Sequence, residues 1–123
     1  MWKYLPRAVA NGSDLEARTQ RMAAAIMGAT AFQEGLGAVH SLAHPLSTIA
    51  GMHHGTSNAV LLPPVMRFNA TVAADRLKDL AVAMNAEPSV EAAIQRVHEL
   101  NRICGIGTLR DYKVTEETIP RIS

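Results

Sequence analysis

The sequence has few aromatic residues, a single cysteine and almost no net charge, and each scarcity narrows the class of protein. Aromatic residues make up 4% of the 123 residues, which argues against an aromatic-rich β-sandwich and favours helices packed through small side chains. The lone Cys104 cannot form an internal disulfide, so a disulfide-stapled secreted domain is excluded. A formal net charge of +1 gives no reason to expect nucleic acid as a partner.

Long apolar segments are also missing from the sequence. No uninterrupted apolar run approaches the roughly 18 residues needed to cross a bilayer. The start of the chain, Met1–Arg7, lacks the apolar stretch of a secretory signal. We therefore predict a cytoplasmic protein without a membrane partner. Hydrophobic residues make up 48% of the sequence, and this length predicts a single domain over residues 1–123 with a core of its own.

Apolar residues recur at the spacing of helices rather than strands, so we predict an all-α fold. Asp14 and Ser89 are expected to cap the helices that follow them, and Gly51 is expected to end one. Pro45 and the pair Pro63-Pro64 are expected to kink or interrupt helices. We predict helices over residues 2–10, 15–32, 40–50 (with a break near residue 44), 58–62, 65–74, 75–84 and 90–103. A further helix is predicted to begin at residue 115.

Four of the five histidines lie within fifteen residues, at positions 40, 44, 53 and 54. Imidazole readily binds divalent metals and moves protons near neutral pH. His40 and His44 are four residues apart, so on one helix they would share a face and could share a metal. A turn at Gly51 would let His54 swing back towards them. Because no carboxylate lies close by, the histidines alone predict an incomplete metal site.

The residues around these histidines form a long, gapped pattern. Segment 37–46 reads GAVHSLAHPL, segment 54–65 reads HGTSNAVLLPPV, and Asn69 follows. This pattern resembles the signature of the iron-containing (group III) alcohol dehydrogenases. The similarity extends to Leu5-Pro6-Arg7 upstream and to Gly105-Ile106 downstream, and therefore covers essentially the whole chain.

The resemblance implies a two-domain enzyme that transfers hydride between an alcohol or aldehyde and NAD or NADP. In that family an N-terminal α/β domain binds the nicotinamide cofactor, and an all-helical C-terminal domain of the dehydroquinate synthase-like fold holds a divalent metal, Fe²⁺ or Zn²⁺. This chain resembles part of the helical domain. It is accordingly expected to be a fragment that lacks the cofactor-binding domain and is inactive by itself.

The resemblance also assigns roles to individual histidines. His40 and His54 match metal ligands, and His44 matches the intervening histidine that lines the cleft and serves proton transfer or substrate contact. The remaining ligands, an aspartate and a histidine four residues later, are expected before Met1. No glycine-rich phosphate loop occurs, so we assign no cofactor-binding residue. The chain has His53 where the family usually has proline, which adds a donor beside His54; we expect His53, like His98, to be a surface residue.

Two other interpretations are also compatible with the sequence. The chain could be a non-catalytic helical module that self-associates as a homo-oligomer or binds another protein. It could also be a small independent zinc protein that uses His40, His44 and His54.

Overall fold

The computed structural model describes residues 1–31 and 37–121. These two ranges form helices and turns and contain no strand, which confirms the predicted all-α fold class. They divide into two compact units, Met1–Leu36 and Gly37–Ser123. The predicted end of a helix at residue 32 lies outside the described residues.

The first unit contains helices α1, Leu5–Ala10, and α2, Leu15–Ala31. As predicted, Asp14 caps α2: its Oδ1 accepts from the Ala17 amide at 2.9 Å. The Arg7 guanidinium also reaches this carboxylate, at 2.8 Å. The hydrogen bond from the Ala17 amide and then the one from Arg7 lower the pKa of Asp14. The cap and the ion pair together hold the turn between the two helices.

The second unit contains three longer helices: α3, Ala38–Ile49; α4, His54–Ala83; and α5, Val90–Ile103. Ser89 caps α5 as predicted, because its Oγ accepts from the Ala92 amide at 3.0 Å. Two short 3₁₀ helices follow, Leu109–Tyr112 and Ile119–Arg121.

The helix predicted to start at Thr115 is wrong. Residues 115–118 form a turn that leads into the second 3₁₀ helix. The Thr118 amide donates to the Thr115 carbonyl at 2.9 Å, and the Thr118 hydroxyl accepts from the Thr115 amide at 3.3 Å. Such local bonds compete with the α-helical pattern.

The predicted interruptions at prolines are also wrong, because α3 continues through Pro45 and α4 through Pro63 and Pro64. A proline inside a helix removes one amide donor and so leaves the carbonyl four residues earlier without its helical partner. For Pro63 that carbonyl belongs to Ala59, and it accepts instead from the side-chain amide of Asn101 at 2.7 Å. A donor from α5 therefore substitutes for the one that Pro63 lacks.

The limits of α4 also differ from the prediction. The helix begins at His54 with His53 as its N-cap, rather than at residue 58. Its one non-helical residue among those described is Ala73, at φ −128° and ψ 22°. This kink lies beside the predicted boundary between residues 74 and 75, and it separates the histidine-bearing half of α4 from the half that follows.

One apolar cluster joins α3 to the start of α4. It comprises Ala43 and Leu46 of α3, Met52 of the connecting turn, Leu61 of α4, and Val114. Ala43 and Leu46 flank His44 along α3, and Met52 precedes His54 by two residues. The cluster therefore holds the backbone segments that carry these histidines.

Replacing Asn101 with alanine is expected to lower the free energy of unfolding by about 1–3 kcal/mol, because the Ala59 carbonyl loses its donor. Urea denaturation measures this change. Gln95→Ala, on the exposed side of the same helix, serves as the control and should change stability by no more than about 0.5 kcal/mol. Equal, small effects of the two variants would contradict the compensating role of Asn101.

Candidate metal centre

Three histidines are carried by two helix segments that a tight turn folds together. His40 and His44 occupy successive turns of α3, and His54 is the first residue of α4. Between them Gly51 has φ +65°, a left-handed conformation that glycine adopts at little cost. The Met52 amide donates back to the Leu46 carbonyl at 3.3 Å. As predicted, Gly51 ends α3, and the turn brings His54 back over that helix.

The imidazole rings of these three histidines are neighbours. The ring centroids of His40 and His54 are 5.4 Å apart, those of His44 and His54 are 5.1 Å apart, and those of His40 and His44 are 6.4 Å apart. His54 therefore belongs to both of the closer pairs. The rings are tilted by 38° to 49° rather than stacked.

These separations can be compared with the geometry of a metal site. With metal–nitrogen bonds of about 2.1 Å and tetrahedral angles, the centroids of two imidazoles on one ion lie about 5 Å apart. The two pairs that include His54 match this value, whereas the 6.4 Å separation of His40 and His44 exceeds it. Spacing in the sequence favoured His40 with His44; the ring positions favour a pair that contains His54.

The site is only partly assembled. Across residues 1–31 and 37–121, no group of three or more His, Cys, Asp or Glu side chains is arranged so that it could hold a metal ion. His40 and His54 are half-buried, while His44 is exposed. The donor set suits a divalent metal in chemical type, since imidazole nitrogen binds iron and zinc. A stable site needs further ligands.

The other two histidines, His53 and His98, are both exposed. His53 is exposed and is the N-cap of α4, and His98 is exposed on α5, as we expected of both. An open cavity of about 880 Å³ lies between α5 and the 3₁₀ helices, and the three clustered histidines do not line it.

Sequence reasoning assigned no role to two asparagines that the structure singles out. Asn101 completes the hydrogen bonding of α4, as described above. Asn58 follows His54 by one helical turn, and its buried Oδ1 has no hydrogen-bond partner in the part of the chain that the structure describes. Neither role could be deduced from local periodicity, because each depends on which residues surround the side chain in the folded chain.

The model of the Fe-containing alcohol dehydrogenase family, C-terminal part, matches residues 1–123. The chain belongs to this family. It is 42% identical to 4-hydroxybutyrate dehydrogenase of Cupriavidus necator, over 98% of this chain and 34% of the relative. It is 41% identical to lactaldehyde reductase of Escherichia coli (strain K12), over 72% of this chain and 25% of the relative.

A solved structure of 1,3-propanediol oxidoreductase has the same fold. It superposes with a TM-score of 0.92 and 35% sequence identity, over 98% of this chain and 34% of that one. The similarity confirms the helical C-terminal domain fold of iron-containing alcohol dehydrogenases. The chain matches the Cupriavidus necator relative and the solved structure over 98% of its own length, but it spans only about a third of theirs.

No helix among the described residues is long and apolar enough to span a membrane.

Proposed function

We propose that this chain is the metal-binding helical part of an iron-containing alcohol dehydrogenase, in which His40 and His54 bind one divalent metal. The observation that carries the proposal is the 5.4 Å separation of their ring centroids, a distance compatible with two imidazoles on one ion. The complete enzyme would transfer hydride between a small alcohol or aldehyde and NAD or NADP, as its membership of the family suggests.

The metal is Fe²⁺ or Zn²⁺ in this proposal, and an aspartate and a histidine outside the chain complete its ligand set. When bound, the ion supplies Lewis acidity to the alcohol or aldehyde oxygen. His40 and His54 each supply one ring nitrogen. Their helices are fixed by the apolar cluster of Ala43, Leu46, Met52, Leu61 and Val114, so the ligands are held before the ion arrives.

His44 is proposed as the group that moves a proton or contacts the substrate. It lies on the same helix as His40, one turn further on, and its ring centroid is 5.1 Å from that of His54. Its side chain is exposed, so a substrate or a water molecule can reach it. An imidazole that is not used as a ligand can accept or donate a proton near neutral pH.

The chain by itself is expected to bind Zn²⁺ or Fe²⁺ weakly and to show no NAD(P)-dependent alcohol oxidation, because it supplies two of the proposed ligands and no phosphate-binding loop. Calorimetry and an absorbance assay for nicotinamide reduction measure both properties. Turnover by the 123-residue chain alone would contradict the proposed incompleteness.

A chimera tests the proposed function directly. In it, residues 1–123 replace the matching third of the 42%-identical Cupriavidus necator relative. We expect metal-dependent alcohol oxidation that His40→Ala or His54→Ala abolishes and that His98→Ala leaves intact. A folded chimera whose activity is unaffected by His40→Ala and His54→Ala would contradict the proposal.

Self-association is a second candidate function, favoured by one observation in the first unit. Met22, Ile26 and Met27 on α2 are 55%, 65% and 72% exposed, and apolar side chains exposed together tend to be covered by a partner. Light scattering distinguishes the two functions: a strict monomer at high concentration would contradict self-association and leave the metal site unaffected.

A further inference from the structure

The side-chain oxygen of Asn58 is a buried acceptor that receives no hydrogen bond from residues 1–31 or 37–121. Asn58 lies in the first turns of α4 and is half-buried, yet its Oδ1 has almost no contact with solvent. Leaving a buried polar atom unsatisfied costs free energy, and such atoms are uncommon in folded proteins. A buried acceptor that is left without a donor indicates that the donor reaches Asn58 only when a ligand binds nearby.

Helix geometry directs this amide towards His54. Residues four apart share one face of a helix, and side chains lean towards the helix N-terminus. Asn58 therefore leans over the turn that begins with His54. The His54 ring is in turn the one that lies closest to both other rings, at 5.4 Å from His40 and 5.1 Å from His44.

Asn101, the second asparagine of this region, has a different role. Asn101 donates its side-chain amide to the Ala59 carbonyl at 2.7 Å and thereby repairs the helix opposite Pro63. Asn58 is thus not needed to satisfy that carbonyl. Its own oxygen remains available on the face of α4 that carries His54.

Metal-binding histidines need such an acceptor. A neutral imidazole that gives one nitrogen to a metal keeps an N–H on the other, and proteins almost always pair that N–H with an acceptor that orients the ring. We propose that Asn58 Oδ1 accepts this hydrogen bond from His54 when the metal is bound, so that Asn58 is the positioning residue for His54. This inference rests on the proposed role of His54 as a ligand.

The test measures Zn²⁺ affinity and metal-free stability of the 123-residue chain in parallel. Asn58→Leu removes the acceptor and keeps the branching and the number of side-chain heavy atoms. We expect its Zn²⁺ affinity to fall about 10- to 100-fold. Without metal its urea midpoint should stay equal or rise, because an unsatisfied buried atom has been removed. Asn58→Asp keeps an acceptor and should retain the affinity. Asn69→Leu, at an exposed asparagine of the same helix, should leave it unchanged.

The outcomes separate this inference from the function on which it rests. If His54→Ala abolishes Zn²⁺ binding while Asn58→Leu leaves the affinity unchanged, the role of Asn58 is overturned and the metal site stands. A loss of metal-free stability in Asn58→Leu large enough to explain weaker binding also overturns it. If His54→Ala has no effect, or the unaltered chain binds no Zn²⁺, both the metal assignment and the role of Asn58 are overturned.

Discussion

Replacing His54 with alanine is expected to weaken Zn²⁺ binding by the chain by about 100-fold, equivalent to about 2.7 kcal/mol. His54 takes part in both ring pairs whose separations suit a shared ion, at 5.4 Å and 5.1 Å. Its removal leaves His40 and His44, whose centroids lie 6.4 Å apart. Isothermal titration calorimetry measures the change.

The control for this variant is the neighbouring histidine. His53→Ala removes the same side chain from an exposed position one residue earlier, and we expect Zn²⁺ affinity to change by less than about threefold. A larger loss of Zn²⁺ affinity in His53→Ala than in His54→Ala would identify His53 as the ligand and contradict the proposed site.

Replacing Leu46 with alanine is expected to lower the free energy of unfolding by about 2–5 kcal/mol, the usual cost of a cavity at a fully buried leucine. Leu46 of α3 is 2% exposed and belongs to the apolar cluster with Met52 of the connecting turn and Leu61 of α4. Urea denaturation measures the loss. Because the same cluster fixes the helices that carry His40 and His54, we also expect weaker Zn²⁺ binding.

Leu42→Ala is the matched control, since it makes the same change one turn earlier on α3 at a residue that is 39% exposed. Its cost should be no more than about 1 kcal/mol, because the remaining space is filled by water. Equal losses in the two variants would contradict the assignment of Leu46 to the core.

Features that depend on neighbouring residues could be predicted from the sequence. The caps at Asp14 and Ser89 and the end of α3 at Gly51 agree with the structure. Each depends on one side chain or one backbone conformation acting within four residues. The all-α fold class follows from the same short-range periodicity.

Features that depend on distant residues could not be predicted in this way. Prolines 63 and 64 lie inside α4 although their local effect is to break a helix. The compensating donor, Asn101, comes 42 residues after Ala59 along the chain. Nothing in the local sequence identifies it, and only the packing of α5 against α4 brings it to the Ala59 carbonyl.

The candidate site falls between these cases. Clustering in the sequence identified the histidines, but spacing paired His40 with His44, which are the most widely separated of the three rings. Two residues four apart share a helix face without necessarily placing their rings on one ion. The family resemblance paired His40 with His54, and the turn at Gly51 brings those rings to 5.4 Å. Met52 of that turn is buried in the apolar cluster, next to residues that are distant in the sequence.

Whether His40 and His54 bind the same cation can be measured by a Zn²⁺ titration of the chain labelled with ¹⁵N at its histidines, followed through the ring nitrogen resonances. We expect the resonances of His40 and His54 to change together and to saturate at one equivalent of Zn²⁺, while those of His98 stay constant. Changes at His53 or His98 alone, or separate titration of His40 and His54, would contradict a shared cation.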